Sequence, residues 1–314
     1  MNKQAFMFRI IFLICLLLLT GCFNTSQENN PSTNTTFVHE DSYNLIDQLN
    51  LTDQEVNYIN LLKEKDAFVV AMRQVEAVYI INNGKISGFH YKLIKNFADH
   101  LDLDLKIEIV DISDYWKDEN GDVEKAQAEP TYTYKPALFD KVDMYCDSLT
   151  VVPWRKKLVQ FIEVYPSREF VINSKDLDIQ TMEDLRGRRI AITMGGSYRD
   201  TMERVENQLG KAFIHIKTDT IPEVLPTVNA GEADFTFYDS SRAFFELQAY
   251  ENLKLSIPAT DLQSIGWALP KDNEILASII EKYLNHMKDS GEFSELWEKD
   301  FSIPFYEYVR LLAD

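Results

Sequence analysis

"VDMYCDSLTVVPWRKK" (residues 142–157) is an apolar run that ends in chemistry. The strand it predicts runs out through Asp147, Ser148 and Thr150, meets Pro153 and Trp154, and ends on Arg155. A hydroxyl and a guanidinium therefore stand where a buried strand stops, which is where α/β proteins hold small ligands. The same plan occurs twice. "ALFDKVDMYCDSLT" (137–150) and "VNAGEADFTFYDSS" (228–241) each read as short helix, acidic turn, apolar strand and polar outlet. Two lobes that each deliver a polar strand end make a cleft when they face one another.

Around these stretches, strands alternate with helices. "LTDQEVNYINLLKEK" (51–65) opens a helix that Thr52 caps while Glu55 bonds back. "AFVVAM" (67–72) is a strand, Asn83-Gly84 a turn, "HYKLIKNFADHLDL" (90–103) a helix by its spacing, and "LKIEIV" (105–110) a strand. Residues 111–136 break the rhythm; they are polar and charged and read as an insertion or flap. A second block follows. Its helices have Thr181 as cap with Gly187 as stop, glycines with Ser197 as opening, and Thr220 with Pro222 in the first turn. The class is α/β, with sheets expected to be mainly parallel. A late amphipathic helix, within "NEILASIIEKYLNHMKDSG" (273–291), is expected to pack back on the first lobe. The chain would then cross between lobes near 163–168 and near 256–262, as a hinged pair does. The expected division is 51–165 with 258–314 for lobe 1, and 166–257 for lobe 2.

The first residues read as an export signal: Lys3 and Arg9 precede an apolar run over 10–19. That run is short for a transmembrane span of roughly 20 residues. It ends in Leu19-Thr20-Gly21-Cys22, which resembles the lipobox of bacterial lipoproteins. The resemblance implies a signal peptide over 1–21, cleavage before Cys22 and a lipid on that cysteine, which would place the protein in the cell envelope, anchored to a membrane on its extracytoplasmic side. Residues 22–50 are Asn/Ser/Thr-rich, bury too little to fold, and are expected to be a tether. Cys146 is then alone, so no intrachain disulfide is expected; it reads as a small buried hydrophobe.

The signal removes two positive charges and no negative one, leaving 30 basic against 50 acidic residues, a net of −20. That argues against nucleic acid and against adhesion to anionic lipid surfaces. The five histidines lie far apart and make no metal spacing. "DENGDVEKAQAE" (118–129) has some acids of a calcium loop, but its glycine falls at position 4 where the sharp turn needs position 6. No metal and no cofactor are expected.

Five segments, in order, resemble the type II periplasmic solute-binding proteins of the polar-amino-acid branch, the family 3 solute-binding proteins. "TVVPWRKKLVQF" is similar to their T-x-T-P-E-R-K-K-x-x-x-F, "GKISGFHYKLIKNFADHL" to G-x-x-x-G-F-x-x-x-L, and "TMEDLRGRRIAITMGGSY" to S-x-x-D-L-x-G-K-x-V-x-V-x-x-G-S. "NAGEADFTFYDS" is similar to G-x-x-D-x-x-x-x-D, and "LNHMKDSGEFSELWEKDF" to the closing helix. The lead "LTDQEVNYINLL" also resembles the segment before Venus-flytrap sensor domains of two-component kinases. Two further segments resemble the non-catalytic N-terminal half of membrane-bound lytic transglycosylase F. With so few residues after Phe301, neither a kinase nor a transglycosylase half is expected in this chain.

The resemblance implies a two-lobed Venus-flytrap fold and a binding role, not an enzymatic one. Arg155 would grip an α-carboxylate with Thr150 beside it. Ser197, with the backbone N–H groups after Gly195 and Gly196, would hold the same carboxylate from the other lobe. Asp239 would pair with the α-ammonium. The chemistry agrees: Arg is a planar fork for carboxylates, and a glycine-opened helix start is an anion site. Tyr79 and Trp154 are candidates to stack on the ligand or close the rim. Val152, Trp154 and Lys92 depart from the family pattern, and these departures bear on the ligand's side-chain class. The expected ligand is a small amino acid or related carboxylate. The expected partner is an ABC permease or a sensor, with the protein itself a monomer. Two alternatives stand beside this: a ligand-free envelope interaction module, and a dehydratase using Glu76 or Asp147 as a cleft carboxylate.

Overall fold

The computed structural model describes residues 48–121, 133–193, 197–210 and 213–313. Cys22, Gly196 and most of the 118–129 loop lie outside them. The strands are β1 (Phe68–Met72), β2 (Ile80–Asn82), β3 (Lys85–Ser87), β4 (Leu105–Ile109), β5 (Met144–Thr150), β6 (Gln160–Ser167), β7 (Glu169–Ser174), β8 (Arg189–Thr193), β9 (Ile214–Thr218), β10 (Phe235–Asp239), β11 (Leu253–Pro258) and β12 (Gln263–Leu269). The helices are α1 (Asp53–Lys63), α2 (Phe89–His100), α3 (Pro153–Leu158), α4 (Ser197–Leu209), α5 (Val224–Asn229), α6 (Ser240–Glu246), α7 (Glu274–Ser290), α8 (Glu292–Phe301) and α9 (Phe305–Ala313). Among the described residues, no helix is long and apolar enough to cross a membrane.

Two five-stranded sheets form two lobes, ordered β4-β1-β5-β12-β6 and β11-β7-β10-β8-β9. The sheets are mixed, which corrects the expectation that they are mainly parallel. In the first, β1 pairs in parallel with β4 and β5, whereas β12 runs antiparallel to β5 and β6. In the second, β8 is parallel to β9 and β10, whereas β7 is antiparallel to β10 and β11. The reason lies in the connections. A helical crossover returns the chain in the same direction. Strands β6, β7, β11 and β12 instead flank the two passages between sheets, so no helix turns the chain between β6 and β7 or between β11 and β12.

Strand β5 is buried along its whole length. Met144 and Cys146 face one core with Phe97, Trp267 and Tyr283, and Tyr145 and Leu149 face another with Tyr115, Trp116 and Phe139. This is the period-2 alternation of a strand covered on both faces. The second lobe has its own core around Ile190, Ile192, Val205, Phe235 and Phe237. Gly88, at the start of α2, has φ 123°, and a Cβ there would meet the Val78 carbonyl oxygen at 2.4 Å. Only glycine fits such a position. Lys92 reaches Asp300, tying α2 to α8.

Candidate ligand-binding cleft

The end of β5 and the short helix α3 build the first wall. Pro153 starts α3 at its first position, where no N–H is required. This places Arg155 one turn past Thr150, and its Nη1 donates to the Thr150 carbonyl at 3.0 Å. The guanidinium carbon lies 4.7 Å from the Trp116 ring centroid and 5.3 Å from that of Trp154. Such aromatic faces hold a cation in place. Arg155 is 2% exposed, and its Nε is buried with no hydrogen bond to a described residue. Burial lowers its pKa to about 10 against the pull of Asp200, Asp239 and Glu169, so it stays cationic at neutral pH.

The second wall comes from α4 and the end of β10. Ser197 begins α4, and its hydroxyl lies 3.1 Å from that of Thr150 across the cleft. Asp239 ends β10, accepting from Tyr198 at 3.1 Å and from Ser167 at 3.4 Å. Burial raises its pKa, while Arg242 and the Tyr198 hydrogen bond act in the other direction. Its register neighbour on β7 is Glu169. That carboxyl group is fully buried, and neither oxygen makes a hydrogen bond of normal geometry, although Thr201 and Ser197 stand beside it. Burial first, and the Asp239 charge second, push Glu169 up to about 8. The pair holds a proton at neutral pH.

Thr150, Arg155, Ser197 and Asp239 thus line one cavity, with Arg73, Tyr198 and Arg242 among its other walls. It measures about 20 Å³, enough for roughly one water. The lobes are closed upon it, since Trp154 Nε1 also donates to Asp200 of α4 at 3.2 Å. Tyr79 is not brought in: it packs edge-on against Tyr91 at 5.3 Å in the first lobe's core. Trp154 stands under Arg155 and against Asp200 instead of lining the cavity.

Two groups of residues escaped sequence reading. The first is Arg73, whose partner Asp147 reads from the sequence only as part of the strand outlet and as a candidate acid. Arg73 Nε and Nη2 clamp the two carboxylate oxygens at 2.8 and 2.6 Å, and Tyr115 donates to the same carboxylate at 2.7 Å. Burial favours the neutral acid, but the Arg73 charge and these hydrogen bonds hold the Asp147 pKa below the usual range. Arg73 follows the apolar run of β1 as Arg155 follows β5, so a polar outlet was there to be noticed. The second is Tyr115 and Trp116. They belong to the segment read as insertion or flap, yet both are fully buried and Trp116 lies against the guanidinium of Arg155.

Two α/β lobes closed on a polar, charged cavity define a binding protein of the type II periplasmic fold. The family model for bacterial extracellular solute-binding proteins, family 3, matches residues 68–303, and the chain belongs to that family. Membrane-bound lytic murein transglycosylase F of Ectopseudomonas mendocina (strain ymp) is 24% identical over 258 residues, covering 80% of this chain and 48% of that protein. Its namesake in Desulfosudis oleivorans is 23% identical over 257 residues, 79% of this chain and 52% of that one. The chain spans about half the length of these relatives. Among solved structures, the solute receptor for L-cysteine of Neisseria gonorrhoeae superposes with a TM-score of 0.62 at 18% identity, covering 77% of this chain and 92% of that one. An amino acid ABC transporter substrate-binding protein of Streptococcus pneumoniae, bound to L-arginine, gives 0.61 at 19%, covering 77% and 98%. At these identities the likeness concerns the fold.

Proposed function

We propose that this chain is a lipid-anchored extracytoplasmic binding protein that closes its lobes on a small amino acid or related carboxylate. The observation that carries this reading is Arg155. It is buried, charged and short of a partner at Nε, and Thr150, Ser197 and Asp239 surround the same cavity from two lobes. A zwitterion matches that set, with carboxylate on Arg155 and the hydroxyls, and ammonium on Asp239. The passages between the sheets, at Arg168 and across 259–262, serve as the hinge. The trapped ligand is delivered to an ABC-type permease or read as a signal. The protein acts as a monomer held to the membrane through Cys22. A thermal-shift screen of amino acids tests the binding: a ligand for the native state raises the melting temperature, and a screen without any shift sinks the reading. The anchor has its own test. Cys22→Ala should give soluble or uncleaved protein, whereas correctly cleaved but membrane-bound protein contradicts it.

A second reading is supported by the likeness to transglycosylase F: a module of the cell envelope that binds no small ligand and acts beside murein-cleaving machinery. A protein that passes the amino-acid screen does not fit it. The dehydratase reading has less support, because Asp147 is engaged by Arg73 and Tyr115. Glu76, the other candidate, is not among the cavity's lining residues.

A further inference from the structure

The cavity holds more cationic donors than a plain amino acid uses. Arg73 follows β1 in the first lobe, and Arg242 sits on α6 in the second; both line the cavity with Arg155. They are 7% and 5% exposed. Each is fixed from behind. Asp147 and the Ser148 hydroxyl hold Arg73. Glu246 takes Nε and Nη2 of Arg242 at 2.9 and 2.7 Å, and the Tyr238 ring lies 5.0 Å from its guanidinium carbon. In both arginines Nη1 makes no hydrogen bond to a described residue. The two are near enough that the charge of Arg242 works against that of Arg73.

Two buried guanidiniums approaching from opposite lobes repel as the lobes close. An anion held between them turns that repulsion into two charge-assisted contacts. The zwitterionic head is already accounted for by Arg155, Thr150, Ser197 and Asp239, so the second anionic locus belongs to the far end of the ligand. We infer that the ligand is an amino acid carrying a second acidic group, whose distal carboxylate is gripped between Arg73 and Arg242. This rests on the proposed amino-acid binding and narrows it to a chemical class. Entry requires the lobes to part, since the closed cavity is water-sized.

The test is calorimetric titration of the whole mature protein with L-glutamate, L-aspartate and their amides, L-glutamine and L-asparagine. An acid and its amide differ little in size, so their affinity ratio isolates the distal charge. At least one acid should bind tenfold or more tighter than its amide. Arg242→Gln should lower that ratio about tenfold, and Arg242→Lys should restore part of it. The Gln variant can still reach Glu246, and its melting curve checks that it folds. Amides or other neutral amino acids binding as tightly as the acids would overturn the inference and leave the proposed amino-acid site standing. So would a ratio that Arg242→Gln leaves unchanged. Binding of none of the common amino acids would overturn both.

Discussion

Thr150 of the first lobe and Ser197 of the second meet hydroxyl to hydroxyl at 3.1 Å, directly beside the Arg155 fork. Each hydroxyl is placed to bond a ligand oxygen, yet in the closed form they bond one another. A ligand oxygen placed between them takes over both donors and joins the lobes through itself. The Thr150–Ser197 bond itself adds little, since a single neutral hydrogen bond is worth roughly 1 kcal/mol net. The lobes should open readily in solution and close on ligand. Small-angle scattering should show a smaller radius of gyration when a ligand found by thermal shift is added. An unchanged radius would mean a static module.

Removing the fork should separate binding from stability. Arg155→Ala deletes one side of a desolvated charge pair with the ligand carboxylate, a loss on the order of 2–5 kcal/mol. Affinity should fall by roughly 30-fold or more. Arg155→Lys should recover only part, because an ammonium cannot bond both oxygens in plane. Arg155→Met keeps the contact with Trp116 and Trp154 and removes a buried charge, so the unliganded fold should be as stable as wild type or more so. Titration calorimetry and melting curves on the three variants decide this. Wild-type affinity in Arg155→Ala would move the site elsewhere.

The Glu169–Asp239 pair predicts a pH signature. In the unfolded chain Glu169 loses its proton near its ordinary pKa of 4.5; in the fold it keeps it to about 8. Between those values the unfolded state binds fewer protons, so the contribution to stability falls as pH rises and is fully lost above about 8. Glu169→Gln is neutral throughout and escapes this loss. It should melt close to wild type near pH 5 and increasingly above it toward pH 8, a difference on the order of a few kcal/mol. Parallel melting curves across that range would contradict the assignment of the shared proton.

How much of this was readable beforehand depends on whether a residue's role is local. Thr52 with Glu55 and Thr181 with Asp184 act within a few residues, and their helix starts were legible or nearly so. Thr150, Arg155, Ser197 and Asp239 were legible as polar ends of apolar strands or as helix starts. The mixed strand directions were not, because they follow from where the chain passes between lobes. Tyr79 looked like a rim aromatic and is core, since a single sequence does not say which face of a turn is covered. Trp116 was hidden for the opposite reason: its charged neighbours gave the segment a solvent-facing look while its ring is buried.

The C-terminal helix α9 offers a test of the hinge, because one phenol joins its parts. Tyr308 is fully buried; its hydroxyl donates to the Pro166 carbonyl at 2.8 Å and lies 2.9 Å from the Ser240 hydroxyl. Pro166 is at the end of β6, where the chain leaves the first sheet, and Ser240 begins α6 beside Asp239. The ring meanwhile packs on Trp297 at 4.6 Å and edge-on to Phe244 at 5.9 Å. Tyr308→Phe keeps this packing and removes only the hydroxyl. It leaves a buried carbonyl and a buried hydroxyl short of a partner, a cost of about 1–3 kcal/mol. Ser240 remains bonded to Ser167, which also donates to Asp239. The loss should therefore loosen the hinge without dismantling the cavity. The variant should melt several degrees below wild type and show a larger radius of gyration without ligand. Its ligand-saturated radius should match that of wild type. A variant that melts with wild type and scatters identically in both states would show that α9 packs on the hinge without bracing it.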